Sequence, residues 1–321
     1  MHAVTPDMLP AVRPQPAVPL TPATPWQAVV AAYLDAACDS RNTRRAYARH
    51  LRDAFTALAV ATVDALTGAD LAAYRARVTA SDLSPASQGQ ALAALRSFLS
   101  WAGTLGAHRL STEVVRKALR TPKAAVLRPY RTLGEADLRL LLDAASTSRD
   151  RAIVAVFLGA GLRASEVVGL DCSDLHDDAD GGLVLHIRQA KGRKDRHVPV
   201  QPEVRRALLD YLAATGRRLG DLGPLFRAYD RASGKRDRKR LTTRALGYLV
   251  ARLAARTGLT AKALSPHSLR HTYALRALRA GANVIAVQKL LGHTSVGTTQ
   301  RYLDHLELGE LRAAVPPLPL A

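Results

Sequence analysis

The chain has 321 residues, 48% hydrophobic and 5% aromatic, with 46 Lys and Arg against 27 Asp and Glu for a net charge of +19. That composition excludes a disordered chain, allows one large domain or two ordinary ones, and favours helix over sheet. Its two cysteines, Cys38 and Cys172, are far apart and have no CxxC spacing, which excludes a disulfide framework and a cysteine zinc site.

Only eight of the basic residues are Lys, leaving 38 Arg. Arginine is the planar, two-toothed partner of phosphate, so the charge points first to nucleic acid and less well to an anionic membrane surface. No apolar run reaches membrane-spanning length, and no basic start followed by an apolar stretch opens the chain; a cytoplasmic protein is expected.

Residues 1–25 hold seven of the 17 prolines and read as a flexible leader. Residues 26–119 read as a small all-helical domain. In NTRRAYARHLRDAFTAL, Tyr47, Leu51, Phe55 and Leu58 line one side of a helix. Arg44, Arg45, Arg49 and Arg52 lie on other faces, and Arg44 and Arg45 are candidates for DNA contact. SPASQGQALAALRSFLSWAG starts a second helix, with Ser84 as N-cap, Pro85 at the first helical position and Leu92, Leu95 and Leu99 as a core stripe. Phe98 and Trp101 are assigned to the core rather than to base stacking.

RTPKAAVLRPYR, residues 120–131, has two prolines and no acid and reads as a basic linker, with Arg128 and Arg131 as candidate DNA contacts. Residues 132–321 form the second, mainly helical domain. Helical pattern returns at ADLRLLLDAA and RAIVAVFLGAG. LVLHIR and HVPV alternate on either side of QAKGRKDR, which predicts a β-hairpin with a basic turn carrying Lys191, Arg193 and Lys194. RASGKRDRKR, residues 231–240, reads as an exposed basic loop. Helices are expected over about 202–214, 242–257, 266–279, 284–291 and 296–303, with Asn283 and Ser295 as caps and Gly281 and Gly292 as stops.

One decapeptide, SPHSLRHTYA at 265–274, concentrates chemistry. Ser265 can cap and Pro266 suits the first turn, so a helix starts here with His267 and Arg270 on one face. No carboxylate within the turn pairs them, and the first-turn N–H groups also suit an anion. His267 and His271 have the spacing of a two-histidine metal site, but Ser268 stands where HExxH needs its glutamate, and no distant cluster completes a coordination set. No metal or cofactor is expected.

Three further stretches share this character: GLRASEVVGL with Arg163, QAKGRKDR with Lys191, and LLGHTSVGTTQRYLDH with His293 and, nine residues on, Tyr302. In the order Arg, Lys, His-x-x-Arg, His, Tyr, these motifs resemble those of the tyrosine recombinases, or phage-integrase family, across the C-terminal half. PHSLRHTYA, LLGHTSVGTTQRY and GLRASE are most similar to the Xer-type chromosome-dimer resolvases. TRRAY and LSPAS resemble, more weakly, that group's core-binding domain. The leader lies outside the resemblance.

The resemblance implies an all-α, SAM-like core-binding domain followed by a mainly α catalytic domain with a small β-hairpin, the DNA breaking-rejoining fold. It implies Tyr302 as the nucleophile, forming a 3′-phosphotyrosyl link to DNA, with Arg163 and Arg270 clamping the phosphate and His293 donating to it. His267 would manage the phenol proton, and Lys191 would protonate the leaving 5′ oxygen, with Lys194 as its rival. Partners implied are double-stranded DNA, a homo- or hetero-tetramer on two sites, and a DNA translocase as activator. Each residue also has a plain structural role open to it: Arg163 can pair with Glu166 on one helix turn, Tyr302 can be core, and Glu166, Gly161 and Gly292 are assigned to structure. A mobile-element integrase, a type IB topoisomerase and a catalytically silent DNA-binding or architectural protein are the alternatives.

Overall fold

The computed structural model describes residues 20–121, 133–188, 195–229, 236–259 and 264–292. The chain divides into two units, Met1–Leu127 and Arg128–Ala321.

The described part of the first unit is helical: α1 (Trp26–Ala37), α2 (Arg41–Leu58), α3 (Gly68–Thr79), α4 (Pro85–Thr104) and α5 (Thr112–Ala118). The helix starts follow from local chemistry. The Ser84 hydroxyl accepts the Ser87 N–H at 3.2 Å with Pro85 at the first position of α4, as its sequence predicts. Thr67 and Asp70 close a reciprocal capping box on α3. Leu51 and Phe55 of α2 are buried, with Tyr47 and Leu58 half-buried against the same core, while Arg44, Arg45, Arg49 and Arg52 are exposed. Arg44 is bonded to Asp35.

Leu92, Leu95, Phe98 and Leu99 of α4 are fully buried, and Trp101 packs half-buried beside them. The Phe98 ring meets Phe55 edge-on at 5.6 Å, and Trp26 stacks on Phe55 at 4.9 Å. These offset and T-shaped contacts suit the ring quadrupoles, so three aromatic side chains from three helices lock the unit's centre.

The second unit contains α6 (Glu135–Ala144), α7 (Ser148–Ala160), α8 (Ala164–Gly169), β1 (Leu175–Asp177), β2 (Leu183–Ile187), β3 (Arg196–Val200) and α9 (Pro202–Ala213). They are followed by β4 (Arg227–Tyr229), β5 (Arg236–Arg240), α10 (Thr243–Thr257), α11 (Pro266–Arg279) and α12 (Val284–Leu291). The predicted hairpin forms: β2 and β3 pair antiparallel in the register Leu183↔Val200 to Ile187↔Arg196. β1 extends it to an antiparallel sheet of order β1-β2-β3. Leu183, Leu185, Ile187 and Val198 point into the core, as period-two alternation requires.

Three strands escape the sequence pattern. β1 and β4 are three residues long and have no room for alternation. Residues 236–240, expected as part of an exposed loop, form β5 and pair with β4, Arg227 opposite Arg240. A run of charged residues carries no strand signature, and backbone pairing with β4 overrides its low propensity. Arg240 also gives its guanidinium to the Val168 and Leu170 carbonyls, at 2.9 and 3.0 Å, and to Asp171, so this part of the basic run is structural.

α7 runs through the core with Ile153, Val154, Val156, Phe157 and Ala160 fully buried. Predicted stops hold: Gly292, at φ 64°, ends α12, and Gly281, at φ 85°, follows α11. Asn283 caps α12, its side chain accepting the Ile285 N–H at 2.8 Å. Cys38 and Cys172 are free and buried. Among the described residues no helix is long and apolar enough to cross a membrane. The expected 296–303 helix with its Ser295 cap, most of the linker and most of the leader lie outside the described residues.

Replacing Phe98 by alanine removes a ring that meets Phe55 and, at 5.5 Å, Tyr33 of α1 edge-on. The expected loss is about 3–5 kcal/mol, read as a lower urea midpoint with little change in slope.

Candidate active site

The site is built around a backbone turn. α7 ends at Gly161, which sits in the left-handed region at φ 61° and returns its N–H to the Phe157 carbonyl at 3.2 Å. A side chain there would collide with the ring of Tyr273 on α11, 2.1 Å from the place a Cβ would take. Glycine is therefore required twice, for the backbone angle and for the approach of α11. Two residues on, Arg163 is the N-cap of α8. Its backbone N–H donates to Glu166 Oε2 at 2.8 Å, and its Nη1 donates to Oε1 at 2.8 Å. The local Arg163–Glu166 pair anticipated from the spacing is thus present, but it is one part of a larger arrangement.

Glu166 binds three guanidiniums. Arg196, at the start of β3, makes a two-toothed pair with it, Nη1 to Oε1 at 3.0 Å and Nη2 to Oε2 at 2.9 Å. Arg270 of α11 has Nη1 at 3.7 Å from Oε2. The decapeptide's arginine therefore does have a carboxylate partner, supplied from 104 positions away in the chain. Burial by itself raises the Glu166 carboxyl. The hydrogen bonds and charge of Arg196, with the backbone N–H and charge of Arg163, more than offset this and hold it below the ordinary carboxylate range.

The same three arginines also converge on one helix end. Arg196 Nε donates to the Leu290 carbonyl at 2.8 Å, Arg270 Nη2 to the Leu291 carbonyl at 2.6 Å, and Arg163 Nη2 to the Gly292 carbonyl at 3.1 Å. These are consecutive carbonyls at the C-terminus of α12, where helical geometry leaves acceptors without intrahelical donors and the helix dipole is negative. Arg270 Nη1 also donates to the Gly161 carbonyl at 2.7 Å.

His267 is the exposed member of the helix start. Its ring lies edge-on to buried His271, with the two Nε2 atoms 3.1 Å apart, so one ring donates to the other. Partial withdrawal from water, followed by the charges of Arg270 and Arg163, pushes its pKa down. The start of α11 is held by a serine capping box: the Ser268 N–H donates to Ser265 Oγ at 3.1 Å, and the Ser265 N–H to Ser268 Oγ at 2.7 Å.

Of the expected catalytic residues, Arg163, His267 and Arg270 come together here. Lys191, His293 and Tyr302 lie outside the described residues, as do the candidate DNA contacts Arg128, Arg131, Arg193 and Lys194. His293 directly follows Gly292, whose carbonyl Arg163 holds. Arg196 was missed by sequence reasoning. It stands among 38 arginines, just after a turn whose basic residues draw the attention, and spacing alone carries no sign of its partners.

Comparison with known proteins agrees with this architecture. Residues 131–308 match the phage integrase family model, and residues 31–106 match the phage integrase N-terminal SAM-like domain. Tyrosine recombinase XerC of Rhodospirillum centenum is 38% identical over 246 residues, covering 73% of this chain and 67% of the relative. Tyrosine recombinase XerD of Rhizobium meliloti is 33% identical over 285 residues, covering 83% and 86%. In fold, the chain is similar to a XerH site-specific recombinase bound to difH substrate, with TM-score 0.64, 20% identity and coverage of 90% and 82%. It is similar also to the Tn1549 transposon integrase in complex with circular intermediate DNA, with TM-score 0.68, 20% identity and coverage of 91% and 99%. The chain belongs to the phage integrase family. Its enzyme class within that family is the tyrosine recombinases, with Xer-type relatives along most of its length.

Glu166→Gln leaves three guanidiniums without their carboxylate. The expected cost at neutral pH is about 3–5 kcal/mol, seen in urea unfolding. Because the folded pKa of Glu166 is depressed, its contribution is complete above the ordinary glutamate value of about 4.3 and is lost as pH falls through the lower folded value. Wild-type stability should therefore fall more steeply than the variant's on acidification through that window.

Proposed function

We propose that this enzyme cuts and rejoins DNA at specific sites through a covalent link between Tyr302 and a 3′ phosphate, and that its task is the resolution of chromosome or plasmid dimers. The observation that carries the chemistry is the convergence of Arg163 and Arg270 on one carboxylate and one helix end, with His267 beside them.

Phosphodiester attack builds negative charge on the non-bridging oxygens, and preorganised guanidiniums stabilise it without reorganising at the moment of reaction. Arg163 uses two of the five N–H donors a guanidinium carries and its side chain is 31% exposed, so it is ready to receive a phosphate. Arg270 is 3% exposed, and its contact with the phosphate requires a rearrangement when DNA binds.

In the step proposed, the Tyr302 phenol oxygen bonds to phosphorus as the bond from phosphorus to the 5′ oxygen breaks. The phenol, with a reference pKa of about 10, gives its proton to His267, whose depressed pKa keeps it neutral and able to accept at pH 7. Lys191 protonates the departing 5′ oxygen, and His293 donates to the phosphate. No electron changes hands, and the phosphotyrosyl bond retains what rejoining needs, so neither ATP nor metal enters the balance.

The two domains at 26–119 and 132–321 and the linker 120–131 each bring basic residues to the duplex. Arg44, Arg45, Arg128, Arg131, Arg193 and Lys194 then meet phosphates and make binding salt-dependent. A tetramer on two sites follows from the Xer likeness, with LELGELRAAV as a helix docking on a neighbour. The similarity to a transposon integrase supports a second reading, integration of a mobile element by the same residues.

The test is covalent trapping. The protein is mixed with nicked fragments of its own chromosome and denatured, and DNA-linked protein is sought by gel and mass spectrometry. An adduct at Tyr302 that is absent from Tyr302→Phe is expected, and sequencing the attached DNA separates a dimer-resolution site from an element end. Tight DNA binding with no adduct on any fragment would sink the catalytic proposal and favour a silent DNA-binding role.

A further inference from the structure

We propose that Arg196 is a positioning residue for Arg163: by filling the Glu166 carboxylate, it stops the Arg163 guanidinium from closing onto that carboxylate and leaves it open to a phosphate. The inference rests on the function proposed above and deepens it.

A carboxylate has two oxygens and about four lone-pair positions. At Glu166 all of them are taken. Oε1 accepts from Arg163 Nη1 at 2.8 Å and from Arg196 Nη1 at 3.0 Å. Oε2 accepts from the Arg163 backbone N–H at 2.8 Å and from Arg196 Nη2 at 2.9 Å. Arg196 therefore holds one position on each oxygen. Arg270 Nη1, 3.7 Å from Oε2, stands outside hydrogen-bond distance of it.

The consequence falls on Arg163. An arginine next to a carboxylate tends to form the two-toothed fork, with two parallel N–H···O bonds. Arg163 makes only one side-chain bond to Glu166, and its other Nη donates to the Gly292 carbonyl. A second tooth would need a lone pair that Arg196 already occupies. The remaining Arg163 N–H groups stay on a side chain that is 31% exposed.

Arg196 does not compete for the phosphate itself. Its side chain is 10% exposed, two of its nitrogens face Glu166, and Nε holds the Leu290 carbonyl. Positive charge at this position is not sufficient for the role. Covering both oxygens at once takes a flat fork, whereas a lysine ammonium is a point charge.

An ordinary buried ion pair would weaken folding or slow every substrate alike. A positioning role for Arg163 makes a narrower demand: the defect must follow the charge on the non-bridging oxygens. A methylphosphonate at the scissile position carries no such charge, so an arginine that offsets it has less to contribute there.

The experiment has two arms, both on full-length protein with folding checked by circular dichroism and urea. In the first, crystal structures of wild type, Arg196→Ala and Arg196→Lys are compared. Two side-chain nitrogens of Arg163 on Glu166 are expected in both variants, and one in wild type. In the second, adduct formation is timed at saturating duplex of the sequence recovered by trapping, made with a phosphate or a methylphosphonate at the scissile position. Arg163→Ala is the reference. On the phosphate duplex Arg196→Ala is expected to be about 100-fold slower than wild type and Arg196→Lys at least about 10-fold slower. On the methylphosphonate duplex both, like Arg163→Ala, are expected within about 5-fold of wild type. If Arg196→Ala does not fold, Arg196→Lys, which keeps the charge beside Glu166, carries both arms.

An Arg163 that keeps a single bond to Glu166 in the variants overturns the inference whatever the rates. Equal loss on both duplexes, or full activity of Arg196→Lys, also overturns it. If Arg163→Ala is as slow on methylphosphonate as on phosphate, the clamping role of Arg163 fails and the inference falls with it. If wild type forms no adduct on the phosphate duplex, the proposed function itself fails, a result distinct from any change in the Arg163 geometry.

Discussion

A single carboxylate holds the second unit's chemistry together. Glu166 accepts from Arg163 and Arg196 and stands beside Arg270, and burial would push it toward neutrality were these cations absent. The dependence is mutual. Three guanidiniums brought this close repel one another unless a negative charge sits between them, and a glutamate this withdrawn from water stays ionised only with such partners. Removing either side leaves charge of the other sign uncompensated.

The end of α12 supplies the second half of that arrangement. A helix C-terminus has carbonyls in want of donors, commonly met by water or by a glycine-terminated turn. Here Gly292 gives the left-handed turn, and three arginines from α8, β3 and α11 take the carbonyls of 290, 291 and 292. The helix end becomes a jig that sets the spacing of the arginines. For Arg163, the one of the three whose guanidinium is exposed enough to meet a phosphate as it stands, this fixes the group beforehand, and backbone carbonyls are among the most rigid acceptors a protein has.

Gly161 gives the same economy at the other end of the site. Its carbonyl accepts from Arg270, and its missing side chain admits the Tyr273 ring of the same helix. α11 is thus located against α7 by packing and by a buried hydrogen bond at one residue. His267 and Arg270, one helical turn apart, then fall on opposite sides of the burial boundary, the histidine exposed and the arginine enclosed.

The sequence by itself determined most of the helices, because their caps, prolines, glycine stops and apolar stripes are local signals: Ser84 with Pro85, Asn283, Gly281 and Gly292 all act where their positions along the chain imply. It also determined the β2–β3 hairpin through alternation, and the family through motifs in a fixed order. Tertiary structure alone decided three things. It made β5 a strand, since pairing with β4 is a contact that five charged residues do not announce. It gave Arg270 a carboxylate from Glu166 on another helix, where the decapeptide offers none. It singled out Arg196 from 38 arginines by the carboxylate and carbonyl around it. Local structure can be read from neighbours along the chain because its hydrogen bonds span three or four residues. A charged side chain's role depends on what surrounds it in space, and those partners arrive from positions that no spacing rule connects.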